Sequence, residues 1–118
     1  MTLDELSTYI LDHYEASSGH PDKDDPTITV FMRPDNKKWF AATKNIGRRF
    51  LGVDGSGRID ILNVKLSPRT VASLRTHEGF MPAWHMNQNN WVTILLDGSV
   101  ADEEVFRVLD QAFAGAAK

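Results

Sequence analysis

Phe80-Met81-Pro82-Ala83-Trp84-His85-Met86-Asn87-Gln88-Asn89-Asn90-Trp91 runs straight into Val92-Thr93-Ile94-Leu95-Leu96 and then Asp97-Gly98-Ser99-Val100. The second part reads as a strand closed by an Asp-Gly turn. The first part is too polar to be core and too aromatic for an ordinary loop. Between residues 84 and 91 it concentrates two tryptophans, a histidine and a run of side-chain amides. A strand preceded by such a loop and followed by a capped helix is the pivot of the fold.

Elements assemble on either side of it. Thr2 stands three residues before Glu5, a capping box that opens a helix carrying Leu3, Leu6, Ile10 and Tyr14 on one face. That helix fades near Ala16-Ser17-Ser18-Gly19, and the proline-containing stretch 20–27 is a connection. Residues 28–33 and 39–44 form two strands joined by a turn at Pro34-Asp35-Asn36-Lys37. Asn45 to Arg58, with four glycines, resists a regular assignment. Residues 58–66 alternate as a third strand, placing Ile59 and Ile61 on one face and Leu62, Val64 and Leu66 on the other. Ser67-Pro68 starts a short helix through Val71 and Leu74, ended by Gly79. Ser99 with Asp102 is expected to cap the last helix, which bears Val105, Phe106, Leu109 and Phe113.

The order is therefore helix, three strands, helix, one or two strands, helix. Strands in series bracketed by helices predict an α+β fold, a two-layer sandwich of antiparallel sheet with helices on one face. Trp39, Ile59, Ile61, Trp91 or Val92, Ile94, Leu109 and Phe113 are expected to meet in a single core.

A chain of 118 residues is read as one domain, residues 1–118. It holds no cysteine, which removes disulfides, thiolate metal sites and thiol catalysis. No apolar run approaches the roughly 20 residues of a membrane span, so no membrane partner is expected. The acidic start Met1-Thr2-Leu3-Asp4-Glu5 lacks the positive charge of a leader peptide, and a cytoplasmic location is the default. The net charge of −3 is unevenly spread. Residues 1–32 carry −6, residues 33–75 carry +7 and residues 76–118 carry −4. A basic central third predicts a positive face if its cations share one surface, or a cancelled field if acidic helices lie beside basic strands.

Catalysis finds little to work with, and no enzymatic role is expected. The serines fall at caps and turns, with none in a strand-to-helix G-x-S-x-G elbow. Asp24-Asp25 and Glu103-Glu104 read as a solvated loop and a first helical turn. Gly52-Val53-Asp54-Gly55-Ser56-Gly57 lacks the lysine and helix of a phosphate loop. His13, His20, His77 and His85 have no metal-ligand spacing. Neither a metal nor another cofactor is expected.

Nucleic-acid binding needs cations for phosphates, planar groups for stacking and amides for base edges. Lys37 and Lys38 lie at a hairpin tip, and Lys44, Arg48 and Arg49 follow along the next strand. Trp84, His85, Asn87 and Gln88 supply the planar and amide groups. The plainer alternative makes the loop a scaffold: Trp84 and Trp91 anchored to the sheet, Asn87 capping a turn, His85 bonded to a carbonyl. A third possibility is a protein-interaction or chaperone-like module, for which the aromatic loop would receive a peptide.

The stretch 82–91 resembles the signature P-G-Y-H-M-N-K-x-H-W of the bacterial MmcQ/YjbR family, and 96–104 its L-D-G-S-V-P-D-E-E. Trp84, Gln88, Asn90 and Ala101 stand where that pattern has tyrosine, lysine, histidine and proline. The resemblance spans nearly the whole chain and includes Val30-Phe31, Lys38-Trp39-Phe40-Ala41 and Leu62-Asn63-Val64-Lys65. It implies a two-layer domain of the secretion-chaperone-like type, also compared with frataxin-like folds. It also implies DNA binding through a winged arrangement. The natural contacts would be Lys37, Lys38, Lys44, Arg48, Arg49, Trp84, His85, Asn87 and Gln88. Gln88 and Asn90 remove charge from that pattern, so the implied binding is weak and largely non-specific.

Overall fold

The computed structural model describes residues 1–117. Helix α1 (Leu3–Tyr14) opens with the expected reciprocal cap: Glu5 N–H donates to Thr2 Oγ1 and Thr2 N–H to Glu5 Oε1. Leu6, Ile10 and Tyr14 form its buried stripe. Four strands follow: β1 (Ser17–Gly19), β2 (Thr29–Met32), β3 (Trp39–Gly47) and β4 (Arg58–Lys65). Then come α2 (Pro68–Leu74), β5 (Phe80–Pro82), β6 (Trp91–Leu95) and α3 (Asp102–Gly115). The strands make one antiparallel sheet in the order β1-β2-β3-β4-β6-β5. The α+β architecture holds, with a fourth strand in the first run: Ser17–Gly19, read as the frayed end of α1, pairs with β2 instead. Among the described residues no helix is long and apolar enough to cross a membrane.

Helices cover one face of the sheet. Leu6, Ile10, Phe31, Phe40, Leu62, Val64, Val92, Ile94, Val105, Val108 and Leu109 share the core between the layers. Ile94, Leu109 and Val92 fall where expected, with Phe113 packed at the margin. Ile59 and Ile61 do not. They lie on the far face with Ile46, in a separate small cluster against Leu51, Trp84 and Leu95. The alternation along β4 was legible. Its central position, with Ile61, Leu62, Asn63 and Val64 all buried, left both faces apolar. Period alone then cannot say which one meets the helices.

Trp39 is displaced for a different reason. Phe31 pairs with Ala41, but the next residue, Met32, pairs with Trp39, so β3 carries one residue more than β2 at that point. This bulge puts Phe40 into the core beside Ala41 and turns Trp39 to the open face, where it is 40% exposed. Phe40 packs edge-on against Tyr14 and Phe113.

The helix ends are settled locally. Ser67 caps α2 through Thr70 N–H, with Pro68 in the first turn. The anticipated Ser99–Asp102 cap does not form. Ser99 bonds Asp97 within the turn, and Ala101 stands at the N-cap of α3 with no side-chain hydrogen bond to offer. At its other end α3 is held by the β2–β3 hairpin: Arg33 Nη1 donates to Phe113 O at 2.6 Å and Asn36 Nδ2 to Ala116 O at 2.8 Å. These are the orphan carbonyls of a helix terminus, and a guanidinium suits its dipole. Gly79 lies beyond α2, at φ 87°, where a Cβ would run into Val100.

Candidate functional site

The helix-free face of the sheet is covered by two loops, and the candidate residues collect there. Asn63 on β4 and Thr93 on β6 are direct cross-strand partners facing this side. Thr93 Oγ1 donates to Asn63 Oδ1 and accepts Trp84 N–H at 3.0 Å, while Asn63 Nδ2 donates to Trp84 O at 3.1 Å. Both residues are buried, so the strand pair holds the backbone of Trp84 through a satisfied polar network. Beyond it, Asn87 Oδ1 accepts Asn89 N–H at 2.9 Å, and Asn87 O accepts from both Asn90 and Trp91. Gln88 Nε2 returns to Ala83 O at 3.3 Å. Trp91 is buried. The loop is therefore built by Asn87, Trp91 and the Asn63–Thr93 pair, and it displays Trp84, His85 and Gln88.

His85 is exposed, adopts φ 54° and stacks on Trp84 with centroids 3.8 Å apart and planes within 7°. A left-handed conformation disfavours any side chain with a Cβ, and such strain persists only where the surroundings hold it. Neither imidazole nitrogen has a hydrogen-bond partner among the described residues, so the carbonyl bond of the scaffold alternative is absent.

Lys44 is not the free cation expected of it. It is buried, bonds Asp25 and Thr27, and places its ammonium 5.1 Å from the Trp84 ring centroid. Asp25, nineteen residues away in sequence, thus ties the connection 20–28 across the sheet. The hydrogen bond from Lys44, and next that from Thr27, holds the Asp25 carboxyl well below its ordinary value, at about 2. A carboxyl with a folded pKa below its unfolded one stabilises fully above about pH 4, and that contribution disappears as pH falls toward 2. Acid titration followed by tryptophan emission is expected to show the 20–28 connection leaving the sheet in that window. Asp25→Asn should flatten the transition; an unchanged profile would break the assignment.

The other cations separate. Lys37 and Lys38 are exposed at the β2–β3 tip, Lys37 at φ 61°. Arg48 and Arg49 occupy a 3-10 turn (Arg48–Phe50) at the opposite end of β3. Ten residues of extended chain put the pairs about 30 Å apart, well beyond the ~10 Å Debye length at 0.1 M salt. The five cations do not make one surface. Arg48 and Arg49 instead join two residues that sequence reasoning passed over. Phe50 is 62% exposed, with the Arg49 guanidinium 4.8 Å over its ring. Arg58, across the hairpin, bonds Asn45. A shallow groove then runs from Phe50 and Leu51 to Trp84, His85 and Gln88. Phe50 was visible in the sequence only as one apolar residue among glycines; its neighbours at 48 and 49 were the available signal.

Comparison with known proteins agrees with this fold. A family model described as YjbR matches residues 11–114. The protein YyaQ of Bacillus subtilis (strain 168) is 30% identical over 113 residues, 96% of each chain. A crystal structure of a Pseudomonas syringae protein superposes with a TM-score of 0.92 at 32% identity, covering 98% of this chain and 99% of that one. A Deinococcus radiodurans structure described by the family-model domain DUF419 gives 0.75 at 25% identity, over 99% and 79% of the two chains. With the family model covering most of the chain and a relative matched almost end to end, this protein is a member of the YjbR family.

Proposed function

We propose that the chain binds nucleic acid weakly and without sequence preference, through the β3–β4 hairpin and the adjoining Trp84–His85 stack. The observation that carries this reading is the exposed Phe50 with Arg49 over its ring, Arg58 lining the same groove and Arg48 in the same 3-10 turn. An aromatic face flanked by guanidinium groups offers stacking together with phosphate neutralisation. The groove to His85 and Gln88 extends the same surface. Lys44 is committed to Asp25 and contributes no phosphate contact; Lys37 and Lys38 lie outside the footprint.

Fluorescence anisotropy with single-stranded and duplex DNA across a salt series tests it. Three phosphate contacts predict a log–log salt slope of about −2 on single strands. Phe50→Ala should weaken binding by roughly 5- to 100-fold, as loss of one stacked base does, with folding stability within about ±0.5 kcal/mol. The double change Lys37→Ala, Lys38→Ala should leave affinity nearly untouched. Absence of binding at low salt ends the proposal. The exposed Phe50 also suits a second reading, a protein-interaction module, since aromatic and arginine side chains anchor protein interfaces; a salt-independent protein complex abolished by Phe50→Ala would favour it.

A further inference from the structure

Between the two loops that cover the open face lies a cavity of about 200 Å³ with no assigned occupant. Ile28, Val30 and Ala42 line it from the sheet side, Trp39 borders it at one edge and the stacked Trp84–His85 pair at another. Its volume is well below the ~300 Å³ at which pockets for drug-sized ligands begin, and somewhat above the ~150 Å³ that holds a benzene ring. That is room for one or two fused rings. Most of the wall is aromatic or aliphatic, and Asp22, Thr43, Lys44 and Asn63 add polar groups to it, which selects a flat body with π-faces that also carries hydrogen-bonding atoms. Charge points the same way. Lys44 is already bonded to Asp25 and a second carboxylate, Asp22, borders the cavity, so nothing here asks for an anion. The unpartnered imidazole of His85 offers a hydrogen-bonding group at the rim.

The geometry points to this cavity as a binding site for a single planar heterocycle of nucleobase type, inserted between Trp39 and the Trp84–His85 stack. Two features suit this role. Trp39 is a large apolar side chain that the β3 bulge turns out of the core and leaves 40% exposed. His85 is held at φ 54° with its ring parallel to Trp84 and its nitrogens unused. The same heterocycle reaches the cavity as a free nucleoside or as an unstacked base of a strand lying in the groove from Phe50. Only the second route rests on the nucleic-acid reading above.

The chain's three tryptophans supply the readout, because Trp91 is buried outside the cavity and serves as an internal reference. Indole N–H signals are followed by heteronuclear NMR while adenosine, thymidine or a short mixed-sequence single strand is added. Saturable shifts of the Trp39 and Trp84 signals are expected, with Trp91 still. Shifts with a nucleoside alone assign a free ligand; shifts with the strand only assign a strand-presented base. Ala42→Ile, which fills the cavity from β3, should weaken either response about tenfold or more, as loss of a stacked base does. Trp39→Ala, at a half-open position, should do the same to the Trp84 response and guards against a folding defect in the first variant. If neither signal moves with any of the three, or if the shifts survive both substitutions, the site is disproved. A strand that shifts amide signals around Phe50 but neither indole would leave the hairpin reading intact and remove this one.

Discussion

Truncating Phe40 to alanine is expected to cost about 3–5 kcal/mol, the range for a large aromatic removed from a packed core. The side chain is fully buried and meets Tyr14 and Phe113 edge-on. The sheet there is closed on one side by α1 and α3, so little can collapse into the gap. At roughly 4 °C per kcal/mol for a domain of this size, the melting temperature should fall by about 12–20 °C. Trp39, its neighbour, has the larger ring yet should lose only about 1 kcal/mol or less on the same truncation. Paired denaturation curves for the two variants check the bulge directly. Similar losses at both positions would mean that the register at Phe31–Met32 is not as described.

Thr93→Val is the second large effect. The hydroxyl is both acceptor for Trp84 N–H and donor to Asn63 Oδ1, and no water can replace it at a fully buried position. Two polar groups left without partners cost about 1–3 kcal/mol each, so a loss of roughly 2–6 kcal/mol is expected. Thr93→Ser keeps the hydroxyl and removes one methyl, for about 0.5–1.5 kcal/mol. Tryptophan emission of the valine variant should shift to the red, because the pin on the Trp84 backbone is gone while β6 persists. A valine variant as stable as the serine one would show that the loop is held by other means.

Much of this was readable from residues alone, and the failures have physical causes. The capping box at Thr2, the Ser67-Pro68 start of α2 and the strand read at 91–96 are local signals; the first two appear as read and the strand ends one residue sooner, at Leu95. The Trp84–His85 display and the scaffolding role of Asn87 also follow from local composition. The side of β4 that meets the helices did not, because a central strand buried on both faces lacks amphipathic contrast. The bulge at Phe40 depends on pairing with β2, and no property of Trp39-Phe40-Ala41 announces it. Lys44 was read as a phosphate contact because its partner lies nineteen residues back, in a connection that sequence presents as solvated. Asn63 carried a signal that went unused: an amide inside an apolar strand must find a partner, and Thr93 is the residue that antiparallel pairing delivers.

The clasp of Arg33 and Asn36 on the last carbonyls of α3 has a kinetic meaning. Helix termini ordinarily open turn by turn, and their amides exchange with solvent at almost no free-energy cost. Here the final turn of α3 and the β2–β3 turn, eighty residues apart in the chain, share the same two hydrogen bonds. Neither end can loosen without releasing the other, so they open as one cooperative unit. The segment that closes the helical layer is thereby tied to the ribbon that begins the sheet, and its order arrives only once that long-range contact has been made.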